Sequence, residues 1–345
     1  MAAVDLRAGN DLGSLHNQMA ARELEKGNNP RLAFVFPGQG SQYVGMGIEF
    51  ARRRRVAAEV FEQAGQVAGY PIRQLCEDGP VEVLDRTKFT QPAVFTASVA
   101  VMRVLQESGV TCQAAAGHSL GEYTALVAAG VLPFDQALQI VIRRAELMDR
   151  VAADGLGGMA AVIGLDQETA REICLFAGVK GVVQAANFNA PNQIVFSGER
   201  AALDEAIAEA RRRGAKKVCN LAVSGAFHTS LMNGVSEELR RFLEGYAFFP
   251  PKITLVMNVS GAVVFNPDVI KDLLAAQVSS PVLWEGSVRR LASVGFQDYL
   301  EVGPGQVLSG LIKRILPECR VGHVEDEITL EKTLEKVLAQ TGGTV

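Results

Sequence analysis

Little in the sequence favours a disulfide scaffold, a zinc site, a membrane span or a nucleic-acid surface. The five cysteines (Cys76, Cys112, Cys174, Cys219, Cys319) are odd in number, scattered and never in a Cys-x-x-Cys pair. That usage speaks for reduced thiols in a cytoplasmic protein. No run approaches the roughly 20 apolar residues that a membrane-spanning helix needs, although 48% of the residues are hydrophobic. Basic charge is not in excess: the formal net charge of -4 leaves no electrostatic footprint for a nucleic-acid backbone. Internal repeats and low-complexity tracts are missing. The first thirty residues carry Asp5, Asp11, Glu23 and Glu25 with no apolar core between them, unlike a secretory signal. They read as a polar leader with a short helix around 14–26, closed by Gly27-Asn28-Asn29-Pro30, and no chemistry is assigned to them. Histidine is scarce, with four in 345 residues, and that scarcity narrows the search for a base.

What is present is an alternation of buried strands and helices. Leu32–Phe36 (LAFVF), closed by Pro37-Gly38, reads as a buried strand running into a tight turn. Helical patterns follow, broken by Gly and Pro near 69–71 and 79–80. Ala114–Gly117 leads into Ser119 and a helical stretch, and a further helix is expected from Asp135 as its N-cap. This order predicts an α/β fold with a mostly parallel sheet covered on both faces. From about 155 to 223 the rhythm becomes β-α-β-β-α-β. Strands are expected at Met159–Leu165, Val182–Phe188, Gln193–Ser197 and Lys216–Val223, with helices at 167–177 and 200–213. That is the split βαβ, ferredoxin-like order. Residues 155–223 are therefore expected as a subdomain inserted into a larger domain of 31–154 and 224–345, to which Ile253–Val259 and Tyr299–Val302 return as strands.

Gly117-His118-Ser119-Leu120-Gly121 matches G-x-S-x-G, the nucleophile elbow. Glycines flank the serine because the strand-to-helix turn leaves no room for side chains there, and the turn exposes the hydroxyl. The backbone N–H of Leu120 is a candidate oxyanion donor. A serine hydroxyl needs a base. His16 lies in the leader, His323 near the charged C-terminal end, and His118 adjoins the serine on a turn where neighbouring side chains diverge. His228, in Phe227-His228-Thr229 just after the inserted unit, is the best candidate. No acidic third member can be assigned by spacing, and a backbone carbonyl would orient the imidazole equally well.

Asp135–Ala152 reads as an amphipathic helix with one residue out of place. Arg143 shares a polar stripe with Gln139, Glu146 and Arg150, whereas Arg144 shares an apolar stripe with Ala137, Val141 and Met148. An inward arginine needs an anionic partner, and its planar fork suits a carboxylate. An internal pair with Asp or Glu, or a side chain that snorkels to the helix edge, satisfies periodicity equally well.

These residues together resemble the malonyl-CoA:acyl carrier protein transacylase family, which includes acyltransferase domains of fatty acid and polyketide synthases. The resemblance runs from about 32 to 314. It includes Phe36-Pro-Gly-Gln-Gly-Ser-Gln42, Gly117-His-Ser-Leu-Gly-Glu-Tyr123, Arg144 with Met148, and Asn187-Phe-Asn189. Phe227-His228, Asn258-Val259, Ser280-Pro-Val-Leu-Trp284 and Glu301-Val-Gly-Pro-Gly305 continue it. It implies an α/β-hydrolase-like domain with a ferredoxin-like insert, Ser119 as nucleophile and His228 as base. The backbone N–H groups of Gln39 and Leu120 would form the oxyanion hole, Arg144 would grip the malonyl carboxylate, and Asn187 would lie near the site. A backbone carbonyl near Leu283 would orient His228, and Phe227 would fill the space of an α-methyl group and so favour malonyl over methylmalonyl. The implied reaction is ping-pong transfer from malonyl-CoA to an acyl carrier protein, with no bound cofactor and no metal. Basic clusters at Arg211–Arg213 with Lys216-Lys217, and at Arg52–Arg55, are candidate surfaces for an acidic carrier, although each also reads as a solvated helix face. Three rivals remain: a serine thioesterase or esterase, a noncatalytic carrier-binding module, and a free-standing acyltransferase of a polyketide synthase.

Overall fold

The structure, a computed structural model, describes residues 31–152, 155, 157–223 and 225–341. The leader and its expected short helix lie outside the described residues. Among the described residues there are ten strands: β1 Leu32–Phe36, β2 Ala114–Gly117, β3 Gly157–Ile163, β4 Val183–Ala190, β5 Gln193–Glu199, β6 Lys217–Asn220, β7 Thr254–Met257, β8 Ala262–Val263, β9 Asp298–Val302 and β10 Arg320–Val324. They form a six-stranded sheet in the order β10-β9-β1-β2-β7-β8 and a four-stranded sheet in the order β4-β5-β3-β6.

In the larger sheet the pairs β10–β9, β9–β1, β1–β2 and β2–β7 are parallel, and only β8 runs antiparallel to its neighbour β7. The unbroken apolar run of β1 follows from this, because a central parallel strand is covered on both faces. Alternation along the strand sends Phe34 and Phe36 into one core with Met46, Phe95 and Leu300. Ala33 and Val35 go to the opposite face with Trp284, Leu291 and Tyr299. Two strands escape the sequence reading. The two-residue β8 is too short for a pattern, and β10 opens on exposed Arg320 and is only half-buried through His323, as an edge strand can be. The helix Phe134–Ala152 starts one residue earlier than expected. Pro133 fills the N-cap place, since its carbonyl accepts the first helical bond from Ala137, and Asp135 sits in the first turn, where its charge suits the helix dipole.

The smaller sheet pairs β3 with β5 and β6, and β4 with β5, all antiparallel. Helices Gln167–Ala177 and Arg200–Arg212 cover one face through a separate core of Ala160, Val162, Ile173, Phe196 and Leu203. Asp166 caps the first of them, accepting from the Thr169 N–H at 2.8 Å. Register shifts break β4 at Ala185/Asn187 and again at Phe188/Ala190. Freed there, the strand exchanges backbone bonds with Val282 on both sides of Asn187, which ties the small sheet to the loop leading into helix Trp284–Ser293. No described helix is long and apolar enough to cross a membrane.

Candidate active site

The elbow lies between β2 and helix Gly121–Ala128. A Cβ added at Gly117 would stand 1.9 Å from the Gly121 carbonyl carbon, and one at Gly121 would stand 2.0 Å from the Phe36 carbonyl oxygen. Both glycines are therefore forced by close backbone approach. Between them Ser119 adopts a left-handed backbone, φ 50, which costs a side-chain-bearing residue roughly 1–3 kcal/mol unless its surroundings hold it. Here they do: the Ser119 N–H donates to Asn258 Oδ1 at 2.8 Å, and the Ser119 carbonyl accepts from Gln277 Nε2 at 2.8 Å. Asn258 Nδ2 also donates to the Gly117 carbonyl at 2.7 Å.

His228 is brought against this turn from the segment after β6. It too has a left-handed backbone, φ 62, pinned by its N–H to the Val278 carbonyl at 3.0 Å. Its Nε2 lies 2.8 Å from Ser119 Oγ, and its Nδ1 lies 2.8 Å from the Gln277 carbonyl and 3.2 Å from the Ser280 carbonyl. Carbonyls only accept, so Nδ1 carries the proton and Nε2 is the acceptor that faces the hydroxyl. The orienting carbonyl is thus not at Leu283. That residue's carbonyl is taken by the Ser287 N–H and hydroxyl as the following helix begins, and its N–H donates to Asn258. Burial, with the Arg144 charge nearby, pushes His228 down to about 3, so the imidazole is the free base at neutral pH.

A pH test follows from that. kcat/KM for loading reports groups of the free enzyme, so it should show no inflection near the ordinary histidine value of 6.5 and should hold its plateau to about pH 5. For stability the sign is opposite to that of a paired histidine. The unfolded chain binds the proton more readily between pH 6.5 and about 3, so stability falls as pH drops through that window. His228→Gln should flatten that fall in acid-unfolding titrations.

Arg144 is fully buried on the inner stripe of its helix. Its Nη1 donates to Gln91 Oε1 at 2.6 Å, and its Nη2 donates to Ser119 Oγ and to Gln277 Oε1, both at 2.9 Å. Nε has no hydrogen-bond partner among the described residues, and the guanidinium sits 5.4 Å above the Tyr123 ring. Among the described residues neither the internal ion pair nor the snorkelled side chain is found: every hydrogen-bond partner there is neutral, and the head group points inward. A buried cation among neutral acceptors makes the serine pocket attractive to an anionic substrate group. Arg143, by contrast, meets Glu146 and Glu238 at the surface.

The remaining candidates fall around these three groups. Leu120 is buried, and the loop of Gln39 packs on the elbow so tightly that a Cβ on Gly38 would come within 2.5 Å of the His118 carbonyl oxygen. Neither the Gln39 nor the Leu120 N–H is engaged by another described residue. His118 turns away from the serine toward β4, with Nε2 2.8 Å from Asn189 Oδ1 and 3.4 Å from Asn187 Nδ2. Asn187 Oδ1 is buried without a partner among the described residues. Phe227 is buried beside the base, and its ring covers Gly225. Gln91, Glu122, Asn258 and Gln277 join the site without having been assigned a role from sequence. The available signal was polarity inside apolar runs, as in Leu273-Leu274-Ala275-Ala276-Gln277-Val278.

In the first basic cluster every arginine is paired, and in the second Arg212 and Arg213 are. Arg52, Arg53, Arg54 and Arg55 pair with Glu77, Glu49, Glu327 and Glu59. Arg212 and Arg213 pair with Glu205, Glu209 and Glu172. Solvent-exposed pairs of this kind contribute little to stability.

Residues 33–332 match the model of a family described as the acyl transferase domain. The chain belongs to that family. It is 40% identical over 306 residues to the malonyl CoA-acyl carrier protein transacylase of Escherichia coli K12, covering 88% of this chain and 99% of that one. The Bacillus subtilis protein of the same name is 39% identical over 306 residues, covering 88% and 96%. Among solved structures, an acyl-carrier-protein S-malonyltransferase of Burkholderia pseudomallei superposes with a TM-score of 0.86 at 44% identity, covering 88% of this chain and 99% of that one. A malonyl-transacylase solved with its type II polyketide synthase acyl-carrier protein gives 0.86 at 40% identity, covering 89% and 99%. For this acyltransferase the two-sheet architecture is therefore the family's own.

Proposed function

We propose that this protein moves a malonyl group from coenzyme A to the phosphopantetheine thiol of an acyl carrier protein through a malonyl ester on Ser119. The observation that carries this reading is convergence on one oxygen. Ser119 Oγ lies 2.8 Å from the His228 nitrogen and 2.9 Å from the Arg144 guanidinium. A base that accepts the hydroxyl proton and a buried cation suited to the distal carboxylate thus flank the same nucleophile.

Ser119 attacks the thioester carbonyl while His228 Nε2 takes its proton. The N–H groups of Gln39 and Leu120 receive the developing oxyanion, and coenzyme A leaves as its thiol with the proton from His228. The carrier's thiol then gives its proton to His228, attacks the malonyl ester, and regenerates the serine. Arg144 holds the carboxylate throughout and so fixes the acyl group in one pose. Phe227 narrows the space beside the base. We take residues 31–154 and 224–345 as the catalytic domain and 155–223 as the inserted subdomain that closes the cleft. The free thiols support a cytoplasmic setting. The relative solved with a polyketide carrier supports keeping polyketide synthesis beside fatty acid synthesis as the pathway served.

The test is intact-mass spectrometry after mixing with malonyl-CoA. A gain of one malonyl group, stable in buffer and discharged on adding carrier protein, is expected. No adduct, or one lost to water as fast as to the carrier, would favour a hydrolase or a noncatalytic module. The steric role of Phe227 has its own test: Phe227→Ser should raise methylmalonyl loading relative to malonyl by roughly 10-fold, the scale of one methyl group in a pocket. An unchanged ratio would refute it. Truncating this buried ring should also cost stability, about 3–5 kcal/mol.

A further inference from the structure

Glu122 has no task in the steps above, yet it is fully buried three residues after the nucleophile. Its Oε1 accepts from the Asn258 N–H and its Oε2 from Gln277 Nε2, both at 2.5 Å. Two donors face two carboxylate oxygens, which is the pattern of an ionised carboxyl group. Burial outweighs the opposing pull of the two donors and the Arg144 charge and leaves the group raised to about 8. The geometry favours the ionised form, because both oxygens face donors and no acceptor among the described residues stands ready for a carboxyl proton.

The consequence falls on Gln277. Its Nε2 is shared between Glu122 and the Ser119 carbonyl, which leaves Oε1 to accept from Arg144 Nη2 at 2.9 Å. A flipped amide would set NH2 against the guanidinium and oxygen against the carboxylate, and both contacts repel. Glu122 thereby dictates which end of the amide Arg144 meets, and it adds a negative charge that favours the guanidinium's charged form.

We propose that Glu122 is a positioning residue for acyl selectivity: through the Gln277 amide it seats the Arg144 guanidinium beside Ser119, so preference for a carboxylate-bearing acyl group depends on it. The role rests on the malonyl-transfer reading. Glu122→Gln keeps size and shape but brings an amide NH2. The Asn258 backbone N–H cannot turn, so the new oxygen must face it and the new NH2 must face Gln277. The Gln277 NH2 then meets a second donor while the Ser119 carbonyl and Arg144 still favour its present orientation, so the amide is no longer held firmly against the guanidinium.

The experiment measures kcat and KM for loading Ser119 from malonyl-CoA and from acetyl-CoA, in wild type, Glu122→Gln and Gln277→Met. The second variant removes the amide but keeps the main-chain carbonyl that holds His228. In each variant the malonyl-to-acetyl ratio of kcat/KM should fall roughly tenfold or more, the scale of one charge-assisted hydrogen bond. The fall should lie mainly in the malonyl KM; acetyl loading, which also uses the Ser119 turn that the Gln277 amide holds, should drop by clearly less. Equal losses for both acyl groups, the mark of a merely structural role, or an unchanged ratio overturn the proposal. If Glu122→Gln does not fold, Gln277→Met decides by the same criteria. A wild type that forms no malonyl adduct overturns the activity and this role together. A wild type that loads malonyl, with variants of unchanged ratio, overturns this role alone.

Discussion

Ser119→Ala should abolish the malonyl adduct and lower transfer to the carrier by roughly 10⁶-fold, the loss found when a serine nucleophile is removed. The size of the effect follows from geometry. The hydroxyl is where the His228 nitrogen and the Arg144 guanidinium meet, so no covalent route remains without it. The fold should survive. Alanine in the left-handed turn is held by the same backbone bonds to Asn258 and Gln277, and only one oxygen is lost. Intact-mass spectrometry with malonyl-CoA, alongside a thermal melt, makes the measurement. An adduct that persists on a folded variant would move the nucleophile elsewhere.

Arg144→Ala should separate two acyl groups. Malonyl loading should drop by roughly 10²–10³-fold, the scale of a buried charged partner removed from one side of a pair. Acetyl makes no such pair, so its loading should change by far less. A second effect has a definite sign. The Arg144 charge is one of the causes that hold His228 low, after burial. Removing it should raise the histidine, so acid inhibition of acetyl loading should begin at higher pH than in wild type. The variant will also be less stable, because Gln91 and Gln277 lose a buried donor. Melting curves must therefore accompany the kinetics. Equal losses for malonyl and acetyl in folded protein would refute the carboxylate role.

Legibility in the sequence varied with the range of the interaction. The glycines of the elbow can be read because their reason is local: the strand and helix they join leave no room for a Cβ. The inserted unit can be read because alternation and helical period change along the chain, and its observed helices, Gln167–Ala177 and Arg200–Arg212, lie within a residue of the pattern. Arg144 stands out because one stripe of one helix is otherwise apolar. The assignment of Leu283 failed for a different reason. Every residue has a carbonyl, so which one meets His228 depends on the path of the chain from 277 to 280 and not on side-chain identity. The pairing of the basic clusters is equally long-range, since the carboxylate that meets Arg54 belongs to Glu327, 273 residues away.

By itself, the sequence determined the α/β class, the β-α-β-β-α-β order of the inserted unit, the exposed serine on its turn, and the short list of histidines and arginines able to serve it. Those features depend on contacts within a few residues, where sterics and periodicity act directly. Only the tertiary structure decided that Ser119, Arg144 and His228 meet, which tautomer the imidazole adopts, and that Glu122, Asn258 and Gln277 lock the site together. These contacts join positions up to 158 residues apart, and packing two sheets and their connecting loops is what brings such positions within hydrogen-bond reach.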